Sequence, residues 1–414
     1  MSRINTNIPA LQANNRLVAN QADLTTRLER LSTGLRINRG KDDPAGLIAS
    51  ETLRSEIRGI QAAIDNSQRA VNVLSVAEGA RNEVSALLLD MKNLVVSSAN
   101  EGAITDTELQ ANQLQIDSIL ESIDRIANTT TFAGQKLING SLAYTLSGVD
   151  SNAIVQVTTF GARLPDGGSR SVQVEVTNSA EHGNLTYTLT SGSAINGNVT
   201  IELTGFKGVE AFSFASGTTL SSIANGINGS KAVTGVSAHV SGASIYLRST
   251  EFGSEAFVAV KALQGDFIAT EGSTSQDRGV DATVLINGQA AAVDGKKASL
   301  RGNGYDVVVD LTAAMAQSAN TSRFYITGGG AKFQIGPEVN QAGRVDIGIP
   351  SIATSNLGNN DVGFLYTVKS GGNNSIIGRN YMAAEDIVGE AISQVAIIRG
   401  RIGGWHGRCN LLRP

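Results

Sequence analysis

The sequence predicts an α+β protein in which long helices near both chain ends flank an antiparallel, β-rich centre. Apolar residues recur at a 3/4 spacing through roughly the first 130 residues and again from about residue 383, as in helices that pack in a coiled coil or bundle. Between about 140 and 330 apolar and polar residues alternate, which is typical of half-buried strands. With only 6 prolines in 414 residues, long uninterrupted helices are possible.

The first predicted helix covers about residues 4–36 and carries an apolar stripe beside Asn- and Gln-rich faces. Pro44 prevents its continuation, so a break is expected at 38–46. No nearby segment offers an obvious cover, and an exposed stripe is a liability in a monomer. We therefore predict contacts with other chains, with an intramolecular bundle as the alternative. The predicted subunit-interface residues are Ile4, Ile8, Leu11, Val18, Leu24, Leu28, Leu31 and Leu35.

A second helix is predicted from about 45 to 98 and a third from about 105 to 128. Thr105 and Glu108 have the spacing of a capping box at the start of the third. The apolar spacing of the second helix shifts near Gly79. The predicted core seam of these helices is Leu53, Ile57, Ile60, Ile64, Val71, Leu74, Leu87, Met91, Leu94, Ile116, Ile119 and Ile123.

The central region is predicted to form one or two antiparallel β domains interrupted by a short helix at 220–227. The Asn287-Gly288 pair has the chemistry of a tight hairpin turn. A last helix is expected from about 383 to 404, where the 3/4 spacing returns. The predicted strands cover 172–176, 199–203, 236–240, 245–247, 284–286, 305–310 and 324–327.

Composition argues against several function classes. A net charge of -4 and a pI of about 5.6 do not suit a dedicated nucleic-acid binder, and no apolar run reaches the length of a membrane span. Three histidines and one cysteine, scattered along the chain, provide no recognisable metal motif. We expect no enzyme activity, no catalytic residues, no metal and no cofactor. A glycan-binding or enzymatic module at 150–330 is a remaining alternative.

Several long stretches resemble bacterial flagellin. At the N-terminal end they are MSRINTNIPALQANNRL, RLERLSTGLRINRGKDDPAGLIAS and TFAGQKLINGS; towards the C-terminal end they are FQIGPEVN and GEAISQVAIIRGRIG. Residues 217–263 look like the insertion motif shared by flagellins and hook proteins. A hook–filament junction protein is an alternative, but LSTGLRIN and FAGQKLING favour the filament protein.

This resemblance implies a structural subunit of the bacterial flagellar filament that self-assembles through its terminal helices for motility. Its partners would be itself or other flagellins and the flagellar type III export apparatus, and its location the extracellular filament, without a cleaved signal peptide. The implied domains are an inner-tube helix at 1–40, rod-domain parts at 41–145 and 331–403, a variable β-rich outer region at 146–330 and an atypical tail at 404–414.

The sequence departs from the family in two places. The family continues well beyond the segment at Gly403, whereas this chain continues for eleven residues with WHGRCNLLRP at its end. We expect a truncation, with a natural alternative C-terminus as the competing interpretation; chaperone binding and unaided polymerisation would then be impaired. Asp90 stands where many flagellins carry an arginine that innate immune receptors engage, which predicts weaker recognition.

Overall fold

The structure is a computed structural model that describes residues 7–165, 168–189, 194–272, 274–302 and 304–411, with side chains as far as Gly404. The helices are α1 (Ile8–Thr33), α2 (Pro44–Ser98), α3 (Asp106–Thr129), α4 (Leu220–Gly229), α5 (Lys231–Thr234), α6 (Ala313–Ala316) and α7 (Tyr381–Leu411). Short 3-10 helices lie at Leu365–Val368 and Ile376–Gly378.

The strands lie mostly between the third and the last helix. In chain order they are β1 (Thr131–Phe132), β2 (Gln135–Lys136), β3 (Tyr144–Ser147), β4 (Ile154–Ala162), β5 (Arg170–Asn178), β6 (Asn184–Thr188), β7 (Val199–Gly205), β8 (Val209–Phe214), β9 (Val236–Ser241), β10 (Ser244–Ser249), β11 (Phe257–Gln264), β12 (Gln276–Arg278), β13 (Thr283–Ile286), β14 (Gln289–Ala290), β15 (Ala292–Asp294), β16 (Lys297–Gly302), β17 (Tyr305–Leu311), β18 (Thr321–Gly329), β19 (Ala331–Gln334), β20 (Arg344–Ile347), β21 (Gly358–Asn359) and β22 (Gly363–Phe364).

The predicted α+β class is confirmed. Each strand predicted from alternation is present, and so are the three N-terminal helices, the short helix at 220–227 and the capping box between Thr105 and Glu108. Asn287 and Gly288 both adopt positive φ, 51° and 76°, as a two-residue hairpin turn between β13 and β14 requires. Helix α7 extends to Leu411, beyond the predicted end near 404, so the sequence boundary of the atypical tail is not the end of the helix.

The chain divides into two compact units, residues 1–67 with 334–344 and residues 68–333 with 345–414. In the first unit, α1 begins at an Asn7 cap, whose side chain accepts a hydrogen bond from the Ala10 amide, and ends at Gly34 in the left-handed conformation. The predicted break follows. In the same unit, the segment 334–344 approaches α2 closely at Gly59, where an added Cβ would lie 3.1 Å from the Pro337 carbonyl oxygen.

The helical core of the second unit joins α2 from residue 68, α3 and α7 with the segment after β20. The fully buried seam of α2 runs through Val84, Leu88, Met91 and Val95. Prediction placed it at Val84, Leu87, Met91 and Leu94; Val84 and Met91 are buried, whereas Leu87 and Leu94 are half-buried residues that pack against the core. Because a helix advances 100° per residue, alternating steps of four and three from Val84 lead to Leu88 and Val95.

The β region of the second unit contains two separate cores. A five-stranded sheet, β14-β13-β5-β18-β3, and a four-stranded sheet, β15-β16-β17-β4, share the first core. The second core lies between a three-stranded sheet, β6-β10-β9, a four-stranded sheet, β12-β11-β7-β8, and helix α4. The expectation of one or two β domains therefore resolves into two cores, the second formed by an inserted module at about 182–279.

The inserted module is joined to the first β core at a neck of two chain segments, and its Phe252 also packs against that core. Glu181 and Val280 form an antiparallel bridge in which the Glu181 amide donates to the Val280 carbonyl at 2.9 Å and the Val280 amide donates back at 3.0 Å. The chain thus enters and leaves the module at neighbouring points.

Candidate self-association surface

Helix α1 and the turn that follows it expose the described residues of the predicted interface to solvent. Of the described residues of α1, none is buried. Exposure of the predicted interface side chains ranges from 42% for Leu35 to 81% for Leu31, while Ile4 lies outside the described residues. Leu17, which prediction omitted, is 57% exposed; its position seven residues before Leu24 was the available signal. We call Ile8, Leu11, Leu17, Val18, Leu24, Leu28, Leu31 and Leu35 the α1 stripe.

The first part of α2 carries a second exposed apolar row. Leu53, Ile57 and Ile60 were predicted as core, yet they are 58%, 65% and 50% exposed. Ile48 on the same helix is 70% exposed, and Ile64 is half-buried. The core assignment of the first three is not supported within this unit, because periodicity identifies an apolar face without identifying what covers it.

The rest of the predicted seam lies in the second unit. There Val71, Leu74, Met91, Ile116 and Ile123 are buried, and Ile119 packs half-buried against the same core. Helices α2 and α3 also expose Leu89, Val96 and Leu114 by 51%, 54% and 67%. Prediction missed these three; the seven-residue interval between Leu89 and Val96 indicates an outer face.

The turn between α1 and α2 is ordered by two aspartates. The Asp43 side chain caps α2 by accepting from the Gly46 amide at 2.9 Å and pairs with Arg36 at 3.2 Å. Asp42 accepts from the Arg39 amide at 3.1 Å and the Asn38 amide at 3.3 Å. The Gly46 amide, followed by Arg36, lowers the pKa of Asp43, and the Arg39 amide is the main cause that lowers the pKa of Asp42. These bonds fix how α1 leads into α2.

One charged side chain lies in the helical core. Arg81 is fully buried on α2, and none of its three guanidinium nitrogens has a hydrogen-bond partner among the residues that the structure describes. Burial lowers the pKa of Arg81 to about 10, against an opposing effect of Glu78. A buried cation without an acceptor destabilises the fold, and no pattern in the sequence predicts an arginine between the apolar residues of the seam.

The described part of the chain offers apolar surface more than reactive chemistry. Within residues whose side chains are placed, no group of three or more His, Cys, Asp or Glu side chains could hold a metal ion. Among the described helices, none combines the length and apolarity needed to cross a bilayer. Contiguous exposed apolar faces instead mark interaction surfaces, so the arrangement is suited to packing helix against helix.

Residues 4–143 match the family described as the bacterial flagellin N-terminal helical region, and residues 200–251 match the flagellin hook IN motif. These two segments of the chain are similar to bacterial flagellins. Flagellins are structural proteins rather than enzymes. The hook IN match lies inside the inserted module and begins at β7, earlier than the predicted start at 217.

Three flagellins illustrate the relationship. Flagellin of Bacillus subtilis strain 168 is 44% identical over 140 residues, which is 34% of this chain and 46% of the relative. Flagellin of Clostridium tyrobutyricum is 40% identical over 156 residues, 38% of this chain and 41% of the relative. Flagellin E of Vibrio cholerae (strain 395) is 36% identical over 211 residues, 48% of this chain and 55% of the relative. The chain thus spans about half the length of the curated flagellins it matches.

Proposed function

We propose that this chain is a structural subunit of a bacterial flagellar filament, which assembles by packing its α1 stripe against helices of neighbouring subunits. The observation that carries the proposal is the exposure of that stripe, since α1 buries none of its described residues within its own chain. Leu24, Leu28 and Leu31 keep the 4-3 spacing with which helices interlock, and Leu35 follows in the turn after α1. A contact that repeats without closing into a ring produces a helical filament.

Partners and location follow from the same proposal. The partners are further copies of the chain or other flagellins, and the location is the extracellular filament, reached through the flagellar export apparatus. The predicted domains are part of the proposal: an inner helix near residues 1–40, rod-domain segments at 41–145 and 331–403, and outward-facing β modules at 146–330. The two β cores agree with such an outer region.

Incorporation of the labelled full chain into growing filaments tests the proposal. The chain is mixed with an assembling flagellin and short filament seeds, and label is measured in pelleted filaments. A variant with Leu24→Glu and Leu28→Glu places charge on the α1 stripe; the control, Asn14→Glu and Gln21→Glu, places the same charges at exposed polar positions of the same helix. All four positions are exposed, so both monomers should fold.

The stripe variant is expected to lose incorporation and the control to retain it. Equal incorporation of both variants would contradict a role for the stripe. Failure of the unmodified chain to enter filaments, while the carrier flagellin assembles, would contradict the proposed subunit role itself.

A further inference from the structure

Strand β17 of the four-stranded sheet β15-β16-β17-β4 is covered on both faces within the second unit. Along β17, Val307, Val309 and Leu311 belong to the first β core. Val308 points the other way and packs against the helical core, to which Phe160 of β4 also belongs. This second face meets helix α7 and the segment near residues 350–357, around a cavity of about 60 Å³. We call this contact the α7 seat.

A carboxylate lies at the centre of the α7 seat. Asp310 is 6% exposed, and its Oδ1 has no hydrogen-bond partner in the part of the chain that the structure describes. Its strand neighbours are Lys297 on β16 and Gln156 on β4. All three residues line the cavity together with Glu390 and Gln394 of α7. An ionised carboxylate with an unpartnered, buried oxygen is unfavourable.

The charges around Asp310 do not balance. From the sheet side come Lys297, which pairs with Glu390 at 3.2 Å, and Lys296, which pairs with Asp361. Helix α7 contributes Glu390 and the segment between β21 and β22 contributes Asp361. With all of them ionised, three carboxylates face two ammonium groups, and one added proton makes the cluster neutral.

Neutral groups complete the surroundings of the cluster. Gln394 Nε2 lies 2.9 Å from the Gly358 carbonyl oxygen, 3.1 Å from Glu390 Oε1 and 3.2 Å from Gln156 Oε1, so its two hydrogens are shared among three acceptors. These acceptor oxygens line or border the cavity. A protonated Asp310 could donate to such an oxygen, whereas the ionised form can only accept.

Burial raises the pKa of Asp310 from 3.8 to about 6, although Lys296 and Lys297 act in the opposite direction; Glu390 and Asp361 add to the increase. In the closed state α7 packs on the sheet, and in the open state it does not. A carboxyl whose pKa is higher in the closed state contributes its full stabilisation of that state at pH values below its open-state pKa. The stabilisation is then lost as pH rises through the closed-state value. The stability of the contact therefore changes most between about pH 4 and pH 6.

We propose that the α7 seat is a pH-dependent latch between the first β core and helix α7: one proton on Asp310 tightens the contact, and its loss loosens it. This inference does not depend on filament assembly, because every group in it lies within one unit of one chain. Mildly acidic pH therefore strengthens the packing of the β sheet against helix α7.

Amide hydrogen exchange on the full chain tests the latch. Protection factors for the α7 segment 387–398 are compared at about pH 5 and about pH 7.5 after correction for intrinsic exchange; the pKa difference predicts an increase of about tenfold at the lower pH. Strand β10 of the inserted module, which carries no group of the seat, should show no matching change.

Asp310→Asn should abolish the pH dependence and leave α7 protected at both pH values. Asp294→Asn removes an exposed carboxylate from β15 of the same sheet and should leave the tenfold change intact. The latch is overturned if the unmodified chain shows the same protection at both pH values, or if Asp310→Asn retains the full response.

A second variant keeps the test decisive if Asp310→Asn does not fold. Glu390→Gln removes a repelling charge and releases Lys297 for Asp310, and both effects lower the pKa of Asp310. The midpoint of the protection change should therefore move to lower pH. An unchanged midpoint in this variant would contradict the assignment of the response to Asp310.

Discussion

Helix α2 is exposed along its first part and buried along its second, although apolar residues recur at a similar spacing in both. Leu53 and Ile57 in the first compact unit are more than half exposed, whereas Leu74 and Leu88 in the second are fully buried. Side-chain chemistry is the same in the two parts. What differs is the supply of covering elements, since α3 and α7 pack only on the second part within their unit. An apolar seam thus predicts that another element covers it, but it does not identify that element.

The largest expected effect separates the two parts directly. Leu88→Ala should lower the free energy of unfolding by about 2–5 kcal/mol, because it leaves a cavity in the core. Leu53→Ala, at an exposed position, should stay within about 0.5 kcal/mol. Urea unfolding of the monomeric chain measures both. A cost for Leu53→Ala as large as that for Leu88→Ala would mean that the first part is covered in the monomer.

Arg81 is the exception within the buried part, and its replacement should have the opposite sign. Arg81→Met fills the seam with an apolar side chain of similar length and should raise the free energy of unfolding, on the order of 1–4 kcal/mol. Arg69→Met, at an exposed position of the same helix, should change it by about 0.5 kcal/mol or less. A loss of stability in Arg81→Met would reveal an acceptor for the guanidinium.

Gln113 shows the contrasting case of a buried polar group with partners. Its amide donates to the Val368 carbonyl at 3.0 Å and accepts from the Ile376 amide at 3.0 Å. Gln113→Leu would leave both backbone groups without a hydrogen-bond partner and should lower the free energy of unfolding by about 1–3 kcal/mol. The control is Gln110→Leu on the exposed side of α3, for which thermal unfolding should show little change. Equal shifts of the two melting temperatures would argue against the anchoring role of Gln113.

The smallest expected effect concerns the turn between α1 and α2 in the first unit, and it depends on pH. Because the pKa values of Asp42 and Asp43 are lowered, their contribution to the turn is present above the ordinary value of 3.8 and is lost as pH falls through the lowered values. Exchange protection of the Gly46 amide should decrease in that range, and Asp43→Ala should lower it already at neutral pH. Unchanged protection in Asp43→Ala would show that the cap is dispensable.

Sequence reasoning predicted element types well because two periods are visible directly in the letters. The alternation at 172–176 and the Asn287-Gly288 pair specify a strand and a turn by local chemistry alone. The seam phase near Leu87 was harder, since Leu87, Leu88 and Leu89 are all apolar and three registers fit equally. Only the packing of α3 and α7 selects Leu88.

Close contacts between segments that are distant in sequence could not be predicted either. Three successive glycines, as at 328–330, are typical of a flexible linker, but β18 continues to Gly329. Gly329 has a φ of 86°, and a Cβ there would lie 2.1 Å from the Ala143 carbonyl oxygen. The burial of Arg81 and of Asp310 likewise depends on elements distant in sequence. The candidate association residues of α1 could be predicted because their exposure does not depend on elements that are distant in sequence.

The neck between Glu181 and Val280 bears on how such a chain can diversify. Because entry and exit points are already hydrogen-bonded to each other, residues 182–279 can be lengthened, shortened or exchanged at the cost of a loop closure that grows only slowly with length. Phe252 of the module packs against the first β core, so an exchanged module has to supply a side chain for that position. This position is consequently suited to the insertion of another folded domain.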